Sequence, residues 1–433
     1  MKFKAHFFAG VAAFAFTGMT AQAQDVYLTA GSLVDPAYGD TVADPAFVIT
    51  DGIITARGTA SSLSAPDGAT VIDLGEASLL PGFIDMHTHL TGDPEDPPYE
   101  SLAISDEAAA ITGVKNARLT LLAGFTTVRD VGASSYGDVA LRDGIKAGDV
   151  PGPRMFVAGP PIGITGGHCS DTNLLPSEYD LRGENVASGP WEMRDRVRTN
   201  IKYGVDLIKT CSTGGVFSKG TTLGAQQGTL EELTAIVEEA HARGLRVASH
   251  AHGTQGIKNA IMAGADTIEH ASILDDEAIQ MALDNGTYLS MDIYNTEYTL
   301  SEGEANGVLQ ESLDKERQIS QLQRDSYRNA VNAGVKVVFG SDSGVYPHGD
   351  NGNQFSRMVR FGMTPMQAVQ AATIVAAEAL GKAGEIGCVE TGCAADFVAV
   401  TGDPLENMEL LANVDFVMKE GEVYKQDGAP VAR

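Results

Sequence analysis

Nine histidines are spread over the 433 residues, at positions 6, 87, 89, 168, 241, 250, 252, 270 and 348. Six of them, 87, 89, 168, 250, 252 and 270, stand at or just beyond the ends of short apolar runs. His87 and His89 close the run beginning Phe83-Ile84-Asp85-Met86. Side chains alternate along a strand, so both imidazoles project to one side and can grip a single ion. His250 and His270 end two further runs, and Gly340-Ser341-Asp342 ends another. Neutral imidazoles and a carboxylate around one mouth suit zinc or another divalent transition metal. His252 alternates with His250 on the same face and could replace it as a ligand.

Lys209 closes the run DLIKT and should point into the same mouth. An ammonium beside a metal is repelled and has no lone pair to donate. Either its pKa is depressed to give a neutral amine, or carbon dioxide converts it to an anionic carbamate, N6-carboxylysine, that bridges two metals. The carbamate balances charge better: two divalent cations against Asp342, carbamate and a bridging hydroxide leave about one net positive charge. A lysine snorkelling at the rim stays open as the plain alternative.

These residues need a scaffold that brings strand ends together. Between residues 79 and 383, eight apolar runs alternate with helical patterns: FIDMHTHL, TTVRDVG, RMFVAGPPIG, LIKTCSTGG, RVASHAHG, DTIEHAS, TYLSMDIY and KVVFGSDSG. The helix after the fourth is fully punctuated. Thr229 and Glu232 form a capping box, Leu230, Leu233, Val237 and Ala240 keep helical spacing, and Gly244 stops it. Eight such units predict an α/β fold, a (β/α)8 TIM barrel with its chemistry at the C-terminal ends of the strands; a doubly wound open sheet is the alternative. Residues 24–78 and 384–433 share a texture of short β-branched runs, with Asp51-Gly52 as a hairpin turn, and predict one small β-sandwich domain built from both chain ends.

Composition sets the outer limits. With 43% apolar and 20% charged residues the chain is ordinary globular material, which excludes disorder and collagen-like fibres. A formal charge of -27 would repel phosphate backbones and anionic headgroups, so a nucleic-acid partner is excluded. Residues 1–23 combine Lys2 and Lys4, an apolar stretch and Ala21-Gln22-Ala23, the pattern of a secretory signal peptide, and predict a periplasmic protein with no stable membrane span. Its removal would take the charge from -27 to -29. Export permits disulfides among Cys169, Cys211, Cys388 and Cys393, and spacing leaves the pairing open.

Together PGFIDMHTHL, DLIKTCSTGGV, SHAHG, ADTIEHAS, FGSDSGVYPHG, GMTPMQAVQAAT and GDPL resemble the amidohydrolase superfamily across nearly the whole chain. The likeness is to its imidazolonepropionase-related branch of prolidases, dipeptidases with arginine or lysine preference, and ochratoxin-hydrolysing amidases. It implies that His87 and His89 bind a buried metal, that Lys209 as carbamate bridges, that His250 and His270 bind a more exposed metal, and that Asp342 completes the first. Imidazolonepropionase itself is mononuclear and lacks the lysine, so Lys209 favours the binuclear group. Cys169 departs from the pattern, standing after Gly166-Gly167-His168 where the family usually has glycine.

A metal-held hydroxide would then be the nucleophile, Asp342 its proton acceptor, and His168 a helper of the carbonyl-polarising metal. His168, His348, Tyr346 and Lys219 are the candidate substrate contacts, with Arg129 a further cation that could meet a carboxylate. His241 reads as a solvated helix residue. The expected activity is hydrolysis of dipeptides or N-acyl amino acids, ochratoxin-type amides included, by a homo-oligomer carrying two divalent ions, zinc first among them. A cyclic-amide hydrolase and an inactive exported metal-binding protein are the alternatives.

Overall fold

The computed structural model describes residues 25–170 and 172–432; the predicted signal peptide lies outside them. The described residues begin with seven strands: Val26–Thr29 (β1), Ser32–Asp35 (β2), Asp40–Ala43 (β3), Pro45–Thr50 (β4), Ile53–Thr59 (β5), Thr70–Asp73 (β6) and Ser78–Pro81 (β7). Eight barrel strands follow, Phe83–Thr88 (β8), Phe125–Asp130 (β9), Arg154–Val157 (β10), Leu207–Cys211 (β11), Arg246–Ala251 (β12), Thr267–His270 (β13), Tyr288–Ser290 (β14) and Val337–Val338 (β15). The last four are Phe397–Val400 (β16), Phe416–Lys419 (β17), Glu422–Gln426 (β18) and Ala429–Pro430 (β19).

The eight runs read from the sequence are the eight barrel strands. β8 to β10 pair in parallel, as do β11 to β15. Two seams join these sheets into a closed (β/α)8 barrel. Ile162 pairs with Thr210 across one, where Ile162 N–H donates to the Lys209 carbonyl at 2.8 Å. Thr88 pairs with Ser343 across the other, where Asp342 N–H donates to the His87 carbonyl at 2.8 Å. The second seam sets two expected ligands side by side through their own backbones.

Helices cover the barrel because their apolar stripes face its wall. Leu230–His241 has the expected capping box and buries Leu233, Ile236, Val237 and Ala240. Phe83, Phe125, Phe339 and Phe355 interlock with centroids 4.7–5.5 Å apart, fixing helix Asn353–Arg360 to the first, second and eighth strands.

Both chain ends build the sandwich. One sheet runs β5-β4-β1-β6, and the other runs β19-β18-β17-β16-β7-β2-β3, so C-terminal strands pair with N-terminal β7. Leu28, Phe47, Leu79, Phe397 and Met418 fill the space between them. Asp51 (φ 51°) and Gly52 (φ 77°) make the predicted tight turn between β4 and β5, whose left-handed backbone matches the strand twist. Both disulfides left open by the sequence exist: Cys388–Cys393 borders this core, and Cys169–Cys211 joins the loop after β10 to the end of β11. Among the described residues no helix is long and apolar enough to cross a membrane.

Candidate functional site

His87, His89, Lys209, His250, His270 and Asp342 converge on a cavity of about 220 Å³ at the C-terminal mouth of the barrel, together with His168 and His252. Donor atoms of His87, His270 and Asp342 lie within 4.8 Å of one another, and so do those of His250, His252 and His270. His252 thus stands beside His250, and either imidazole is within reach of an ion bound by His270. Oδ1 of Asp342 lies 3.3 Å from His87 Nε2 and 3.6 Å from His89 Nε2.

Strand alternation explains most of this convergence, but not His270. Neighbours Glu269 and His270 should point to opposite sides of β13. His270 has φ 69° and Ala271 φ 45°, so the backbone leaves the extended region there. The Glu269 carboxylate can then sit under His87 while the His270 ring enters the cavity. Asp342, with φ 59°, makes a similar departure after β15. Such conformations cost about 1–3 kcal/mol each and persist where the surroundings enforce them, commonly at active sites.

Four of these rings are oriented by a second partner. His87 Nδ1 lies 2.9 Å from Glu269 Oε2, His89 Nδ1 donates to the Gly132 carbonyl at 2.9 Å, and His270 Nδ1 lies 2.7 Å from Asp292 Oδ1. His252 Nδ1 lies 2.8 Å from the Ser272 hydroxyl. With Nδ1 so engaged, Nε2 is the atom left for the cavity, an arrangement characteristic of metal-ligating histidines.

Electrostatics point the same way. Burial lowers His89 to about 4 and His270 to about 3, and holds His168, His250 and His252 well below the usual imidazole range, so all five carry a free lone pair at neutral pH. Burial also brings the Lys209 ammonium down to about 8. At His87, burial and Lys209 oppose protonation, yet Asp342 and Glu269 outweigh them and lift it to about 9. The negative field that holds a proton there would favour a cation of higher charge.

The donor set therefore fits a divalent metal site. Nε2 of His250 is buried with no hydrogen-bond partner among the described residues, an uncompensated cost that a coordinated ion would remove. Nitrogen and carboxylate donors with no thiolate suit zinc and its divalent neighbours.

Several expected contacts lie elsewhere. Tyr346 is fully buried against Tyr294 and Tyr298 and does not line the cavity; its neighbour Val345 does. His348 is buried outside the cavity, with Nε2 3.3 Å from the Gly92 carbonyl. Lys219 is exposed and donates to the Tyr99 hydroxyl at 2.8 Å. Arg129 is locked inside the barrel by Met86, Thr267 and Glu269 and does not line the cavity, so it is not placed to meet a substrate carboxylate. His241 is paired with Asp266 at 2.8 Å rather than simply solvated.

Other groups escaped notice. Asp292, Asn295, Glu316 and Gln323 form a polar wall, and Val131, Pro161, Val216, Phe217, Ile319 and Val345 an apolar one. Asp292 has a legible signal: an acid inside the seventh apolar run, two residues past the end of β14. Glu316 and Gln323 come from the long helix Gln310–Ala333, where nothing local separates them from solvated residues.

Comparison with known proteins places the chain as a whole. The amidohydrolase family model matches residues 78–424. Ochratoxinase of Aspergillus niger is 30% identical over 434 residues, covering 94% of this chain and 88% of its own. A solved Xaa-Pro dipeptidase with methionine bound in its active site is 36% identical, covers 93% of this chain and 100% of its own, and superposes with a TM-score of 0.88. A prolidase solved with N-methylphosphonate-L-proline is 30% identical over 93% of this chain and 100% of its own, with a TM-score of 0.85.

Proposed function

From the premise that the chain belongs to the amidohydrolase family and hydrolyses amide bonds, we propose that it is a binuclear metal-dependent enzyme cleaving dipeptides or N-acyl amino acids to release a C-terminal amino acid. One observation carries the reading: Lys209, six imidazoles and the Asp342 carboxylate meet in one cavity whose apolar wall can accept a side chain. The names of the similar proteins, a Xaa-Pro dipeptidase, a prolidase and an ochratoxinase, support amides of that kind.

His87, His89 and Asp342 would hold one ion, His250 and His270 a second, and Lys209, as its carbamate, both. Bound there, divalent ions supply Lewis acidity toward an amide carbonyl and lower the pKa of water from about 16 to about 7. The chain's own groups do the rest. Asp342, whose carboxyl is held far below the usual range by His87, His270 and His89 against the effect of burial, is ionised and ready to take a proton. It accepts that proton from the attacking water and returns it to the leaving nitrogen. The Ser218 hydroxyl lies 3.0 Å from His168 Nδ1; with Ser218 as the donor there, the ring proton stays on Nε2, from which it would hydrogen-bond the carbonyl oxygen.

Export to the periplasm belongs to the same reading. The pattern of residues 1–23 and the two disulfides support an oxidising compartment. Trp191, 81% exposed, and Ile111, 72% exposed, favour burial against further copies in a homo-oligomer, which sedimentation would reveal.

A screen of dipeptides and N-acyl amino acids with the zinc-loaded protein tests the function. Cleavage releasing the C-terminal amino acid is expected. Turnover confined to cyclic amides would replace the proposed substrate class, and bound metal with no amide hydrolysis would sink the enzymatic reading.

A further inference from the structure

His168 sits in an irregular stretch between β10 and helix Pro190–Lys202, yet its imidazole is tightly held. It stacks on His250 with ring centroids 4.0 Å apart, and Gly215 lies so close to it that an added side chain would overlap the ring. The His168 N–H donates to Gln227 Oε1 at 2.8 Å. The next residue, Cys169, is bonded to Cys211, with Cα atoms 5.8 Å apart. Cys211 follows Lys209 by two positions on β11, so the two share a strand face, and both cysteines line the cavity.

The hydrogen bonds and ring contacts fix the orientation of the imidazole. Without a covalent tie its distance from β11 would depend on a loop, the part of a fold most given to motion. We propose that the Cys169–Cys211 disulfide is a positioning pair for His168, holding the imidazole at a fixed place beside the residues of β11 and β12 that face the reacting amide. This rests on the reading of His168 as the group that binds the carbonyl oxygen. A displacement of about 1 Å in such a group costs on the order of a hundredfold in rate. The second disulfide, Cys388–Cys393, borders the sandwich core and does not line the cavity, which makes it a control within the same chain.

The test is a double-mutant cycle at saturating zinc. Cys169→Ser/Cys211→Ser is expected to lower kcat about ten- to a hundredfold with KM nearly unchanged. In a His168→Ala background the same pair should cost less than twofold, because the disulfide acts through the imidazole. Cys388→Ser/Cys393→Ser should lower the melting temperature and leave kcat in place. Equal losses with and without His168 would overturn the proposal and leave the disulfide a brace only. A second measurement needs neither a substrate nor folding of the serine variant. In metal-free Cys388→Ser/Cys393→Ser protein, a phosphine reductant opens the remaining disulfide, confirmed by two titratable thiols. The 15N imidazole signals of His168, assigned by their loss in His168→Asn, should then shift or broaden. Unmoved signals would overturn the proposal whatever amide the enzyme cleaves; moved signals with no hydrolysis would indict the functional reading instead.

Discussion

Nδ1 of His270 lies 2.7 Å from Oδ1 of Asp292, and the same carboxylate is gripped by the amides of Asn295 and Gln323. The imidazole is thus oriented by an acid that is itself oriented. Partners of this kind raise the basicity of a ligand and fix its tautomer, and losing one typically costs about ten- to a hundredfold in metal affinity. Asp292→Ala should show that loss in a competition titration with a chromophoric chelator, while His241→Ala, remote from the cavity, should not. Equal affinities in the two variants would remove Asp292 from the metal centre.

Lys209 is buried, its ammonium makes no hydrogen bond among the described residues, and burial already favours its neutral form. A neutral amine is the form that can take up carbon dioxide. Metal analysis should give close to two ions per chain for the wild type and fewer for Lys209→Ala. Short carboxylic acids, supplying the missing anion, should partly restore both metal and activity. One ion per chain, the same in both proteins, would exclude the carbamate.

Glu269 joins two charged partners, with Arg129 Nη2 2.7 Å from Oε1 and His87 Nδ1 2.9 Å from Oε2, all three side chains buried. Breaking a buried pair from one side leaves an uncompensated charge and costs about 3–5 kcal/mol. Arg129→Met should lose that much stability in urea unfolding of the metal-free protein. Adding Glu269→Gln should recover part of it, because the stranded charge is gone. A loss below about 1 kcal/mol would mean that the pair is screened by water.

Burial lifts the Glu316 carboxyl from its ordinary 4.5 to about 7; Asp292 and Asp342 add to the rise, while the Thr296 hydroxyl and Arg324 oppose it. A carboxyl raised on folding contributes stability that is complete below the unfolded value and is lost as pH climbs through the folded one. Between pH 5 and 8 the metal-free protein should therefore weaken. Glu316→Gln keeps the acceptor for Thr296 and removes the titration, flattening the profile by roughly 3 kcal/mol. Parallel profiles for the two proteins in urea unfolding would show that Glu316 is already ionised at low pH.

Legibility in the sequence follows the range of each interaction. Each barrel strand lies in an apolar run with polar or turn residues at its end or close behind it, and Thr229 with Glu232 signals a helix start three positions apart, so both are read locally. The cavity histidines of the first and fifth barrel strands are legible for the same reason: alternation places them. Arg129 misleads because its partner Glu269 is 140 positions away. Tyr346 and His348 mislead because the loop after the eighth strand has no periodicity to say which side chain faces in. Val345 faces the cavity, while the tyrosine beside it packs on Tyr294 and Tyr298. His270 reaches the cavity for a reason the sequence does not display, since alternation would exclude either it or Glu269 and only a left-handed backbone admits both.

Asp342 is the residue on which chemistry and mere binding part. Its Oδ1 faces the Nε2 atoms of His87 and His89, and its Oδ2 accepts from Asn295 at 3.3 Å. One oxygen is thereby placed among the ligands, and the other holds the carboxylate in plane. A storage site needs the first oxygen only; a proton shuttle needs a carboxylate that remains ionised until water is attacked. Asp342→Asn keeps size and one oxygen but cannot accept a proton, so at saturating zinc kcat should fall about a hundred- to ten-thousandfold with KM little changed. Turnover within tenfold of the wild type would assign the proton transfer to another group, with the cavity-lining histidines next to be tested.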